Sequence, residues 1–197
     1  MNKMQKTAKA LDILCKVLFW LTIAGSVLVA VVAVILAFMG DEVMAEASSL
    51  TLGSATFNLA EGYRPDAKYA SGLVFSMIPI VGLGVATVII GLNIIRGILA
   101  PMKEGVPFDG TMSKRIRKLG WFSLISGGVW SIISIILEAL TLVVYDVEKI
   151  FIGDAITGIE VESDISLDFI IVSAVIFLLS YVFRYGEELQ QQADETL

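Results

Sequence analysis

Residues 17–40 read VLFWLTIAGSVLVAVVAVILAFMG and contain no charged side chain. An α-helix rises about 1.5 Å per residue, so about 20 such residues cross the hydrocarbon core of a bilayer, which is about 30 Å thick. The stretch is therefore long enough to span a membrane. A basic leader precedes it, as in a cleaved signal peptide, but signal peptides have a shorter apolar region of about 7–15 residues. The length favours a retained span.

The rest of the chain has the same character. Of its 197 residues 56% are hydrophobic and 17% are charged, and the mean hydropathy is +0.83. This composition excludes a disordered chain, a collagen, a disulfide scaffold and an ordinary cytosolic enzyme. The predicted fold is an all-α integral membrane protein, a four-transmembrane-helix bundle. It forms a single membrane domain, residues 1–197, with spans at approximately 14–38, 71–97, 119–144 and 166–185.

The loops between these spans predict the orientation, because cytoplasmic loops are rich in Lys and Arg. The outer loops are residues 39–70 and 145–165, the inner loop is 98–118 and the tail is 186–197. The leader, inner loop, tail and inner span ends hold 11 of the 14 basic residues. Both termini are therefore predicted to be cytoplasmic, in the inner (plasma) membrane of a cell. Lys16 and Arg96 lie at the inner ends of their spans, where long basic side chains reach the headgroups.

Both outer loops contain sequence that is typical of strands. Apolar and polar residues roughly alternate over 49–59 around the pair Gly53-Ser54, which predicts a β-hairpin with a two-residue turn. Residues 150–162 are a second strand–turn–strand candidate. Because isolated hairpins are marginal in water, we expect the two loops to form one small extracellular β-sheet together.

Three residues in or near the spans are candidates for an intramembrane function. Glu138 lies about 27 Å along the helix from Gly120, which favours the outer membrane edge. A position in the core would make it a proton- or cation-binding residue. Asn93 is either a contact between helices or a ligand. Pro79 predicts a kink, and the glycines that follow it favour close packing over an unwound transporter site, since no internal repeat is visible.

Motifs for catalysis are missing from the sequence. The chain has no histidine and one cysteine, so it lacks the commonest general base and metal ligand. No P-loop, nucleophile elbow or zinc-protease motif occurs. We predict no enzymatic activity, no metal, no cofactor and no direct binding of nucleic acid.

The inner loop and the tail carry the most distinctive sequence. Residues 105–109 read GVPFD, which indicates a turn, and Asp109 or Thr111 is suited to cap a helix that continues into the third span. The basic residues that follow serve membrane topology and attraction to anionic lipid, or bind a partner.

The tail has an apolar stripe. Tyr185, Leu189, Ala193 and Leu197 recur every four residues, so they would share one helix face. The tail is expected either to dock on the basic inner segment or to offer this stripe to another protein. Twelve residues are candidates for partner binding: Pro107, Phe108, Lys114, Arg115, Arg117, Lys118, Arg184, Tyr185, Gly186, Glu187, Leu189 and Asp194.

Several of these residues belong to a pattern. Pro107-Phe108 precedes a basic segment, residues 115–120, and the chain closes with Phe183-Arg184, Gly186, Leu189 and Asp194-x-Thr196-Leu197. With its four spans, the chain resembles a bacterial membrane family catalogued as domain of unknown function 2975. Gln192 departs from that family, in which an acidic residue is usual. The resemblance implies a membrane partner for a small helix-turn-helix regulator encoded by a neighbouring gene, in a family without an assigned activity.

We therefore expect a regulatory or sensory multi-pass membrane protein that binds such a regulator at its cytoplasmic face. The alternative is a small-solute or ion transporter or channel, or an immunity component, that uses Glu138 and the Pro79 kink. A purely structural interaction protein and a homo-oligomer both stay open.

Overall fold

The computed structural model describes residues 3–45, 49–52, 55–58, 67–106, 110–144 and 166–195. Its elements in chain order are α1 (Lys3–Ala45), β1 (Ser49–Leu52), β2 (Ala55–Asn58), α2 (Ala67–Glu104), α3 (Met112–Val144) and α4 (Asp168–Glu195). Each predicted span lies within, or within two residues of, one of the four helices. The helices extend beyond the spans, so that seven residues, 105–111, separate α2 from α3.

The four helices are long and apolar enough to cross a membrane. The stretches that qualify are Lys3–Val32, Ile78–Glu104, Met112–Val143 and Asp168–Ala193. A helix satisfies its own backbone hydrogen bonds, which a segment in lipid must do. Large apolar side chains point outward, among them Trp20, Leu28 and Leu178, which are 68%, 66% and 67% exposed. Lipid, not water, is the solvent that such a surface fits. The chain is a multi-pass membrane protein of apolar helices.

The chain divides into two compact units. Unit 1 contains residues 1–25, 84–130 and 166–197, and unit 2 contains residues 26–83 and 131–165. The whole of α4 belongs to unit 1, and the two strands belong to unit 2.

Within unit 1, α1 and α2 pack through small and branched apolar side chains. The buried core contains Ala8 and Cys15 of α1 and Leu92 and Leu99 of α2. On each helix the two residues are seven apart, which is about two turns, so they lie on one face. Cys15 is a free thiol that packs as a small hydrophobic group.

Glycines of α2 receive aromatic rings of α3 in the same unit. A Cβ atom at Gly91 would lie 3.1 Å from the ring of Phe122, and one at Gly84 would lie 3.4 Å from the ring of Trp130. The residue number rises along α2 as it falls along α3, so the two helices are antiparallel. The small residues allow the close approach that holds helices together in lipid.

The same arrangement recurs between α3 and α4. A Cβ atom at Gly120 would lie 2.9 Å from the ring of Phe177, and one at Gly127 would overlap the Cβ and Cγ atoms of Phe169. These two helices are therefore also antiparallel. The helix α3 gives rings to one neighbour and accepts rings from the other.

In unit 2, the strands β1 and β2 form an antiparallel pair. Ser49 is opposite Asn58 and Leu52 is opposite Ala55, which leaves Gly53 and Ser54 between the strands, outside the described residues. The expected sheet shared by both outer loops is not supported. The pairing among the described residues is limited to these two strands, and the second candidate hairpin, residues 150–162, lies outside them.

Candidate functional site

Two groups of polar and charged side chains that are candidates for function lie at one end of unit 1, which we call the basic end. Here α1 begins at Lys3, α2 ends at Glu104 and α3 begins at Met112. Two constellations lie at this end: a cleft between α3 and α4, and a cluster of charges between α1 and α2.

The cleft is organised around Ser113, in the first turn of α3. The Ser113 backbone N–H donates to Glu187 Oε1 at 3.1 Å, and its Oγ donates to Glu187 Oε2 at 2.6 Å. The Ser180 Oγ donates to the Ser113 carbonyl at 2.8 Å. Ser180 and Glu187 are seven residues apart on α4, so they lie on the same face two turns from each other. All the polar atoms of Ser113 are thus bonded by α4.

These bonds satisfy polar groups at the N-terminus of α3. The first N–H groups of a helix have no acceptor within the helix, and its N-terminus favours a nearby negative charge. The sequence predicted a local cap by Asp109 or Thr111. Helix α3 begins directly after Thr111, but the carboxylate that binds the Ser113 N–H comes from α4. Asp109 lies outside the described residues.

The cleft has a volume of about 590 Å³. The residues around it are Gly110, Ser113, Lys114, Arg117, Ser180, Arg184, Glu187, Glu188, Gln190, Gln191 and Glu195. The basic and acidic groups are balanced, at three each. Arg184 bonds Glu188 at 3.0 Å, and Glu195 accepts from Gln191 at 3.1 Å. Lys114 and Arg117 have no ion-pair partner among the described residues, so their charges are available to a ligand.

The structure brings four of the predicted partner-binding residues together in this cleft: Lys114, Arg117, Arg184 and Glu187. Lys118 is exposed but lies outside the cleft. Arg115 turns elsewhere: its Nη1 donates to the Gly97 carbonyl of α2, and its Nε donates to Thr111 Oγ1 at 3.1 Å.

The remaining residues that were predicted to bind a partner lie on the tail or outside the described residues. Tyr185 and Leu189 are 61% and 48% exposed. Gly186 is half-buried, and Asp194 lies in α4 with its side chain outside the described part. Pro107 and Phe108 are likewise outside the described residues. Glu187 docks the tail on Ser113 at the start of α3, while Tyr185 and Leu189 of the apolar stripe are exposed. Whether the stripe binds another protein stays a prediction.

The second constellation, the Asp12 cluster, consists of Asp12, Lys16, Arg96 and Lys103. The Asp12 carboxylate lies 3.5 Å from Lys16 Nζ, 3.2 Å from Arg96 Nε and 3.1 Å from Lys103 Nζ. Its side chain is 9% exposed, and its partners are 55%, 37% and 28% exposed in the same order. One acidic side chain therefore lies among three basic ones.

Sequence reasoning missed Asp12, and it missed Ser113 and Ser180. A local signal existed for Asp12, because it is an isolated acid in a basic leader and stands four residues before Lys16. No local signal existed for its pairing with α2, which depends on the antiparallel packing of the two helices.

The candidate intramembrane residues do not join either constellation. Glu138 is half-buried on α3, and Asn93 and Pro79 are exposed on α2. Helix α2 runs unbroken through Pro79 and Gly84, so the described residues contain no unwound segment there. No group of three or more metal-ligating side chains occurs within the described part of the chain. Comparisons of the chain with protein-family models, curated proteins and solved structures gave no match.

Proposed function

We propose that the protein is a regulatory or sensory membrane protein that binds a small helix-turn-helix regulator at its cytoplasmic face. The proposal includes the topology with both termini in the cytoplasm of a bacterial cell and the family resemblance given above. The observation that carries it is the α3–α4 cleft, with its two cations Lys114 and Arg117 that are unpaired among the described residues, on a helix α4 that also exposes Tyr185 and Leu189.

The chemistry of the cleft fits a protein segment better than a small polar solute. Lys114 and Arg117 offer two cations one turn apart, while Glu188 and Glu195 offer carboxylates on the opposite wall. Tyr185 and Leu189 are exposed on another face of α4 and do not line the cleft. An acidic helix of the regulator would bind these two cations in the cleft, and a second, apolar segment of it would cover Tyr185 and Leu189.

The expected result of a capture experiment is that the wild-type protein, purified in detergent, retains the regulator encoded beside it. We expect Lys114→Glu to weaken binding about tenfold, because the change places a like charge against an acidic partner. Lys118→Glu is the matched control, since it makes the same charge change four residues away, outside the cleft. Binding constants from biolayer interferometry measure the difference.

Two outcomes contradict the proposal. Failure of the wild type to bind the regulator would contradict the proposed function, and equal losses in both variants would contradict the cleft as the binding site.

Leu189→Asp, which places a charge in the exposed apolar stripe, is expected to reduce capture as well.

The transporter alternative makes a different prediction. It requires solute or ion flux through proteoliposomes that Glu138→Gln abolishes. We expect no flux that depends on this residue, because Glu138 is half-buried on α3 and takes no part in either constellation. A flux assay with a pH-sensitive dye and with permeant cations provides the measurement, and loss of flux in the variant would favour transport.

A further inference from the structure

The Asp12 cluster contains more positive charge than it neutralises. One carboxylate contacts three basic side chains, so two positive charges remain in excess. Arg96 uses its Nε for Asp12, and its two Nη groups have no partner among the described residues. A planar guanidinium with free Nη groups is suited to bind a phosphate through two hydrogen bonds.

The cluster lies where apolar sequence ends on two separate helices. Lys16 is the last charged residue before the uncharged residues 17–40 of α1, and Arg96 is the first after the uncharged residues 69–95 of α2. Since Asp12 contacts both, the two boundaries are at one level. For a protein that spans a bilayer this level is the headgroup layer, where lipid phosphates lie.

The surroundings of the cluster are open and suited to lipid. Lys16 is 55% exposed, and Trp20, one turn further toward the apolar part of α1, is 68% exposed. Residues four apart share a helix face, so a headgroup at Lys16 would place its glycerol region near the Trp20 ring. Tryptophan favours this interfacial depth in membrane proteins.

We infer that Lys16, Arg96 and Lys103 form a binding site for the phosphate of an anionic phospholipid, with Asp12 holding the three cations in place. Asp12 neutralises one charge and prevents the repulsion of the other two from opening the site. The proposal depends on the membrane spans and is independent of the regulator.

The test uses the full-length protein in mild detergent and native mass spectrometry to count retained lipid. Phosphatidylglycerol is the anionic probe, and phosphatidylcholine is the zwitterionic one. Wild type is expected to retain phosphatidylglycerol selectively. Lys16→Gln is expected to lower that affinity about tenfold, because it removes a charge-assisted hydrogen bond to the lipid phosphate. Lys118→Gln removes the same charge from an exposed position outside the cluster and is expected to leave the affinity unchanged.

Further variants and a free anion complete the design. Lys16→Gln keeps Asp12 paired with Arg96 and Lys103, so its Tm in phosphatidylcholine is expected to match wild type. Arg96→Lys retains the charge without the Nη groups and is expected to weaken selectivity. Equal losses in Lys16→Gln and Lys118→Gln would show general charge attraction and overturn the site. Displacement of the lipid by millimolar inorganic phosphate would overturn its assignment to a lipid.

Discussion

We expect the Glu187→Ala variant to lose about 2 kcal/mol of unfolding free energy. The change removes both acceptors of Ser113, whose N–H and Oγ donate to the two carboxylate oxygens. Ser113 is 8% exposed, so water would not readily replace the lost partner. Unfolding of the purified protein by SDS in mixed micelles, followed by circular dichroism, gives the free energy.

The neighbouring position provides a matched control. Glu188 is 53% exposed and pairs with Arg184 on the same helix surface. Exposed pairs of this spacing contribute about 0.3–0.5 kcal/mol, so Glu188→Ala is expected to change little. A double-mutant cycle with Ser113→Ala isolates the bond between the Ser113 hydroxyl and Glu187, since the backbone N–H stays in place. Equal effects of the two glutamate variants, or strict additivity in the cycle, would contradict the role of Glu187.

We expect Gly127→Ala to destabilise the protein by about 3 kcal/mol through overpacking. The added methyl group would overlap the Cβ and Cγ atoms of Phe169 and lie 2.8 Å from its Cδ2. Rotation of the ring cannot relieve a clash with Cβ, so the backbones of α3 and α4 must separate. The same micelle unfolding experiment measures the loss, which opposes the gain of about 1 kcal/mol from replacing glycine by alanine in a helix.

Gly128 supplies the comparison for this prediction. A Cβ atom there would lie 3.9 Å from the Phe169 ring, an ordinary contact, so Gly128→Ala is expected to be neutral or slightly stabilising. In a Phe169→Gly background the overlap disappears, and Gly127→Ala is expected to cost much less than in wild type. A cost that persists in that background would show that Phe169 is not the cause.

The sequence predicts the helices well because their cause is local. The uncharged residues 17–40 are long enough to cross a bilayer, and exposing their apolar side chains to water would be unfavourable. The other three spans are predictable for the same reason. The strand pair is predictable for a similar reason, since alternation and the Gly53-Ser54 pair act over ten residues.

The contacts of the candidate site are less predictable because they are tertiary. The partner of Ser113 is 74 residues away, and the partner of Asp12 on α2 is 84 residues away at Arg96. The composition of the inner loop and tail indicated where to look, and it included Lys114 and Glu187 for that reason. It did not distinguish Lys114 from Lys118 and Arg115, which carry the same positive charge but lie outside the cleft.

The glycine–ring contacts on both sides of α3 impose a mechanical constraint. Phe122 and Trp130 of α3 engage α2, while Gly120 and Gly127 of α3 engage α4. If α3 moved along its axis by one residue, Phe122 and Trp130 would no longer lie over the glycines of α2. The phenylalanine rings of α4 would then meet the residues next to Gly120 and Gly127 instead of these two glycines. Axial gliding of this helix is therefore blocked twice over. A movement of α3 that keeps these contacts is therefore a tilt, or a displacement together with α2 and α4.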